Sequence, residues 1–243
     1  LFPYTTLFRS MDQVASLFGE EQQLLAFNCV TQEIQHFSLP LKGAKLFLLD
    51  SRVKHNLAES AYNKRRAQLE AAFEQAQQLF PTLSNWSALS TEMRAQLIPI
   101  LDVETAARLN YVLDEMERVN EMQKLCHNLD LAIHNDYIDH IEQALKNIGS
   151  LLSQTHAGLR DLYEVSCEEL DFLQTQITAL PQVYGARMMG GGFGGCLLVL
   201  ATENFDTTQD LAELTTQYFQ KFDIQTLCYS IQLADGVHLT THD

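Results

Sequence analysis

Five of the six residues 190–195 are glycine, interrupted only by Phe193, and the run stands between two apolar stretches. Glycine reaches backbone conformations closed to other residues and lets a second chain or a ligand come close. That freedom costs conformational entropy, which a plain surface turn has little reason to bear. Residues 184–189 and 196–201 on either side read as strands, so the run is a strand-to-strand loop made for close backbone contact. Gly190, Gly192 and Gly195 also fit the G-x-G-x-x-G spacing of dinucleotide-binding turns. That fingerprint has to open a helix, and here a second strand follows, so a Rossmann-type site is not expected.

The rest of the chain is read by its hydrophobic period. Residues 24–30, 33–39 and 45–50 are short apolar segments between polar or Gly/Pro breaks, which predicts three strands in a meander. Helical spacing runs over 11–18, ending at Gly19, and over 60–80, where Leu69, Phe73, Ala76 and Phe80 share a face and Pro81 stops the run. Further helices are predicted over 103–125, with Leu109, Leu113, Met116 and Val119 inward, over 136–152 and 159–180, and over 208–222 before a strand at 226–233. The mixture indicates an α+β fold. Residues 1–10 carry neither period; their string resembles the conceptual translation of a sequencing-library adapter, so native sequence is expected to begin at Met11.

Composition narrows the partners. With 46% hydrophobic and 19% charged residues the chain has the material for a core, unlike a disordered one. A net charge of −15 without a Lys/Arg-rich run would repel a phosphate backbone, so nucleic acid is not an expected partner. Apolar runs such as 196–201 fall far short of the roughly 20 residues that span a bilayer, and the expected location is the cytoplasm, with no membrane. Cys29, Cys126, Cys167, Cys196 and Cys228 are odd in number and form no Cys-x-x-Cys pair, which suggests buried reduced thiols.

Taken together, Gly185, Ala186, Arg187, Met188, Met189 and the glycine run through Cys196 resemble the third conserved motif of galactokinases, ATP-dependent sugar-1-kinases of the GHMP family. That motif is Gly-Ala-Arg-Met-Thr-Gly-Gly-Gly-Phe-Gly-Gly-Cys; only Met189 departs, removing one hydroxyl. In the family this loop packs against the phosphate-binding loop. The resemblance therefore implies that Gly190, Gly191, Gly192, Phe193, Gly194 and Gly195 lie near the phosphates. Met11, Asp12 and Gln13 resemble the end of the family's Gly-Ile-Met-Asp-Gln. Asp12 would then be catalytic and substrate-binding, orienting the anomeric hydroxyl and taking its proton as it attacks phosphorus; read alone, it is a helix-start carboxylate. The basic residue that faces this Asp in the family has no counterpart here.

Residues 50–57 and 59–66 resemble the family's next stretch, in which a tyrosine hydrogen-bonds the sugar; Tyr62 aligns with it, the alternative being an aromatic that packs. Arg52 occupies a position usually small. Lys54 is either an ammonium near the shifting phosphate charge or a solvated lysine. Lys64, Arg65 and Arg66 read as a surface or interdomain ion-pair set. Residues 155–171 match a distinctive family string, in which His156 is expected to be architectural.

The resemblance implies a two-lobe GHMP-kinase-like architecture. Residues 11–58 would be the end of an N-terminal GHMP kinase domain and 59–243 a C-terminal one. The family's sugar-gripping signature and its Gly/Ser-rich phosphate loop are not found in the chain, so a C-terminal fragment with little turnover of its own is expected. The parent enzyme would transfer the ATP γ-phosphoryl group to D-galactose, with Mg²⁺ on the nucleotide phosphates and no metal ligand identified here. Alternatives are a kinase for another sugar such as N-acetylgalactosamine, a galactokinase-like galactose sensor, and a stand-alone binding domain.

Overall fold

The structure, a computed structural model, describes residues 10–54 and 58–237, and within them not the side chains of residues 10, 11, 54, 58–60 and 62. The adapter-like segment, except for Ser10, and His55, Asn56 and Leu57 lie outside the described residues.

Short α1 (Ser10–Phe18) leads into an antiparallel hairpin, β1 (Gln23–Phe27) with β2 (Ile34–Ser38). The next strand, β3 (Ala44–Lys54), does not continue it. It lies in a separate sheet between β5 (Gly194–Thr202) and β6 (Leu227–Ser230), with β4 (Val183–Met188) on the far side of β5, every pair antiparallel. The expected meander is therefore two structures. The reason is burial: β1 is half-buried at every position, whereas β3 places Phe47 and Leu49 in one core and Ala44 and Leu46 in another. A strand apolar on both faces needs a covered central place.

Two helical layers cover this sheet. Leu197, Val199 and Ala201 of β5 face α6 (Glu168–Thr178) and α7 (Ala212–Phe222), through Leu170, Leu173, Leu214 and Tyr218. Leu198 and Leu200 face the pair α4 (Val103–His134) and α5 (Ile138–Asp161), through Leu125, Leu129, Leu145 and Ile148. The period of two along β5 thus sorts side chains between two cores. A third cluster joins α2 (Ala58–Leu79), α3 (Thr91–Leu97) and the start of α4 around Ala72, Ala76, Trp86 and Leu109, with Phe73 meeting Trp86 edge to face at 4.9 Å.

Helix α4 extends nine residues beyond the expected end at 125, and Val119, expected inward, is exposed. The helix expected over 159–180 is instead the end of α5, a break at 162–167, and α6. Glu164 in that break has φ +50°, which a helix cannot contain.

Where α5 crosses β4, glycine meets glycine. A Cβ on Gly149 would lie 2.2 Å from Tyr184 backbone atoms, and one on Gly185 would lie 1.8 Å from the Gly149 carbonyl oxygen. The two elements sit at a separation that side chains forbid. Buried His156, farther along α5, holds the end of β4. Its Nδ1 accepts from the Met188 N–H at 3.1 Å, which leaves Nε2 to donate to the Asp171 carboxylate at 3.3 Å. The histidine is architectural, as expected, and its bonds set the direction in which β4 enters the glycine loop.

Candidate active site

The glycine loop is the reversal from β4 to β5. The backbone takes φ values of +81° at Gly190, +89° at Gly192, +58° at Phe193, +124° at Gly194 and +93° at Gly195. Left-handed backbone explains Gly190, Gly192, Gly194 and Gly195, since each would strain an ordinary side chain. Their surroundings differ. A Cβ on Gly192 would stand 2.2 Å from the Val165 carbonyl oxygen, whereas Gly190 has nothing within 4 Å and Gly195 nothing nearer than 3.8 Å. One face of the loop is closed against the break after α5, and the positions of Gly190 and Gly195 are open.

Hydrogen bonds hold that shape from three sides. The Met189 N–H donates to the Cys196 carbonyl at 2.9 Å and the Phe193 N–H to the Val165 carbonyl at 2.8 Å. From β3, the Ser51 hydroxyl donates to the Gly195 carbonyl at 2.7 Å, and the Ser51 carbonyl accepts from the buried Tyr218 hydroxyl at 2.8 Å. Burial pushes the Tyr218 phenol well above its ordinary pKa, which keeps it a donor.

The end of β3 is bent to meet the loop. Asp50 pairs with Cys196 and Lys54 with Gly194, so β3 advances four residues while β5 advances two. The bulge carries Arg52 at φ +60°, with its N–H donating to Asp50 Oδ1 at 2.8 Å. Left-handed backbone favours glycine, and Arg52 bears the strain. The backbone of Lys54 therefore lies beside the loop; its side chain is outside the described residues. Tyr62 lies in the second turn of α2, and its side chain is likewise not described.

Asp12 sits in the first turn of α1, exposed, where its carbonyl accepts from Ser16 Oγ at 2.7 Å. A shallow depression surrounds it, lined by Gln13, Ser16 and Leu17. Helix α1 is tethered at its other end: the Gly236 N–H donates to the Gly19 carbonyl and the Val237 N–H to the Ser16 carbonyl, both at 2.8 Å. These partners share no residue with those of the glycine loop. The structure thus gathers residues 51–54 with the glycine loop and sets Asp12 on a separate tether.

The basic cluster is not one surface set. Lys64 pairs with Glu104 at 2.9 Å and Arg66 with Glu70 at 2.8 Å, but Arg65 is buried. Sequence reasoning also missed Ser51, Tyr218 and Arg108, the last only 1% exposed. The signal available for Arg108 was its place between Thr105 and Leu109 on the inward stripe of α4. All five cysteines are free, yet only Cys126 is fully buried, the other four being partly buried. Burial raises every thiol, Cys126 and Cys167 to about 11, which keeps them protonated and unreactive. Among the described residues no group of three His, Cys, Asp or Glu converges to hold a metal ion, and no helix is long and apolar enough to cross a membrane. A groove of about 460 Å³ between the end of α4 and the start of α5 contains none of the expected site residues.

The family model described as GHMP kinases C terminal matches residues 137–220, from α5 through most of α7 and including the glycine loop. Over these residues the chain is similar to the GHMP kinase C-terminal domain. It is also similar to whole galactokinases, at 33% identity over 228 residues for those of Thermosipho africanus and Thermotoga maritima. Each of these alignments takes in 93% of this chain and 58% of the relative. The crystal structure of Lactococcus lactis galactokinase complexed with galactose superposes with a TM-score of 0.71 at 25% identity, over 93% of this chain and 54% of that one. The chain therefore spans little more than half the length of these proteins. The family match covers α5 to α7 with β4 and β5, and the similarity to the galactokinases reaches back through β3 and the hairpin.

Proposed function

We propose that this chain is the C-terminal part of an ATP-dependent sugar-1-kinase acting on D-galactose, forming galactose 1-phosphate and ADP. The observation that carries the reading is the glycine loop. It is closed against Val165 on one side and open at Gly190 and Gly195, and it lies in a chain that is galactokinase-like in sequence and fold. The named relatives are all galactokinases, which favours galactose over an N-acetylated hexosamine and an enzyme over a sensor.

In this reading MgATP is a substrate whose γ-phosphate lies over the open glycines. Their backbone N–H groups can face anionic oxygen without side chains in the way. Asp12 would accept the proton of the anomeric hydroxyl as that oxygen bonds to phosphorus and the bond to ADP breaks. Lys54, at the bulge beside Gly194, would counter the shifting charge, and Tyr62 would hydrogen-bond the sugar. A cytoplasmic location fits this chemistry, because ATP is supplied there. The rest of the nucleotide grip would come from the part of the relatives outside the matched region.

Backbone amide NMR tests this directly. Titrating MgATP into the chain is expected to shift the amides of 189–195 first, and galactose to shift those around Asp12 and Tyr62. Shifts confined to the groove between α4 and α5, with the glycine loop silent, would sink the reading.

A further inference from the structure

Two arginines from different helices reach the same turn. Arg65 of α2 donates through Nε to the Tyr163 carbonyl at 2.5 Å, through Nη2 to the Glu164 carbonyl, and through Nη1 to the Ala61 carbonyl at 3.1 Å. Arg108 of α4 donates to the Leu162 carbonyl, and its Nη2 stands 2.5 Å from the Glu164 carboxylate. The Leu162, Tyr163 and Glu164 carbonyls lie just past the C-terminus of α5, where a helix leaves acceptors unpaired and its dipole is negative, so cations there are well placed. Burying two guanidinium groups side by side is costly, and burial followed by the charge of Arg108 lowers the Arg65 pKa. Glu164 and Glu104 offset the two charges.

What the arginines hold is a strained residue. Glu164 has φ +50°, a conformation that a residue other than glycine keeps only where its surroundings impose it. The next residue, Val165, is the wall of the glycine loop: its carbonyl accepts from the Phe193 N–H and stands where a Gly192 side chain would go. Arg65 also reaches the loop directly, its guanidinium carbon 5.9 Å from the centre of the Phe193 ring. Phe193 is the one residue of the run that is not glycine, and at φ +58° it too is strained.

We propose that Arg65 and Arg108 are positioning residues for the glycine loop. By holding Glu164 left-handed they aim the Val165 carbonyl at Phe193, and through Phe193 they fix the path of residues 190–195. The consequence for catalysis rests on the sugar-kinase reading; the geometric claim does not.

Residue-resolved amide hydrogen exchange on the whole chain tests it. In Arg65→Ala the Phe193 amide is expected to exchange about tenfold faster or more, while amides in the middle of β5 keep their native rates. Arg65→Lys keeps the charge but cannot fork over two carbonyls, and is expected to accelerate Phe193 similarly. Native exchange at Phe193 in either folded variant overturns the proposal. So does acceleration by one common factor at Phe193 and mid-β5, which marks general loosening. If Arg65→Ala does not fold, Arg65→Lys decides. Fast exchange at Phe193 in a chain whose loop ignores MgATP supports the clamp while removing the phosphate reading.

Discussion

Gly192 and Gly190 have nearly the same φ, and their surroundings separate them. Alanine at Gly192 would drive a methyl into the Val165 carbonyl, whereas at Gly190 it would meet open space and bear backbone strain alone. Gly192→Ala is expected to cost about 2–4 kcal/mol in urea unfolding and Gly190→Ala about 1 kcal/mol. His156→Ala removes a buried and a half-buried hydrogen bond and leaves the buried Met188 N–H without its partner, while Asp171 keeps the Ser166 hydroxyl, an expected loss of about 1–3 kcal/mol by the same assay. At this scale the glycines were legible, because so dense a run is worth its entropy only where the backbone must turn left-handed or pack closely. Glu164 and Arg52 were not, since a left-handed Glu or Arg contradicts local preference; the partners that hold Glu164 are far off in sequence, and Arg52 follows from how β3 pairs with β5.

Among the elements, α5 and β4 depend on the Gly149 and Gly185 contact. Gly149→Ala suits helix propensity, yet it pushes a methyl to 2.2 Å from Tyr184 backbone. It is expected to destabilise by about 3 kcal/mol or more, seen as a loss of several degrees in Tm. Helices α2, α4 and α5 were readable from their period, and β5 from its apolar run. The pairing of β3 was not. Its sequence reads as the third strand of a run, and only its apolar residues on both faces, Phe47 and Leu49 against Ala44 and Leu46, mark it as central. The break between α5 and α6 was hidden for a related reason: apolar spacing continues through Leu162 and Val165 while the backbone turns.

For the whole molecule, pH is a readable test of burial. The folded state raises the pKa of Cys126 and Cys167 from 9.0 to about 11, and burial raises Tyr111 and Tyr218 as well. The folded chain then keeps protons that the unfolded chain releases as pH rises past 9, so this stability is complete below about pH 9 and is lost above it. Buried Cys126 alone is expected to contribute about 2 kcal/mol of that loss between about pH 9 and 11. Cys126→Ala should flatten the pH slope of the urea midpoint by that amount.

Asp12 and the glycine loop hang on separate tethers, and in the proposed sugar kinase both would converge on one substrate. The direct measurement is phosphorylation of galactose by a chimera in which residues 11–237 replace the matched region of Thermotoga maritima galactokinase, compared with its Asp12→Asn variant. The expected result is ATP-dependent galactose 1-phosphate from the chimera, and a fall in kcat of at least about 100-fold in the variant with KM little changed. A folded Asp12→Asn chimera that keeps full turnover, or a folded parent chimera that phosphorylates no hexose, would contradict it.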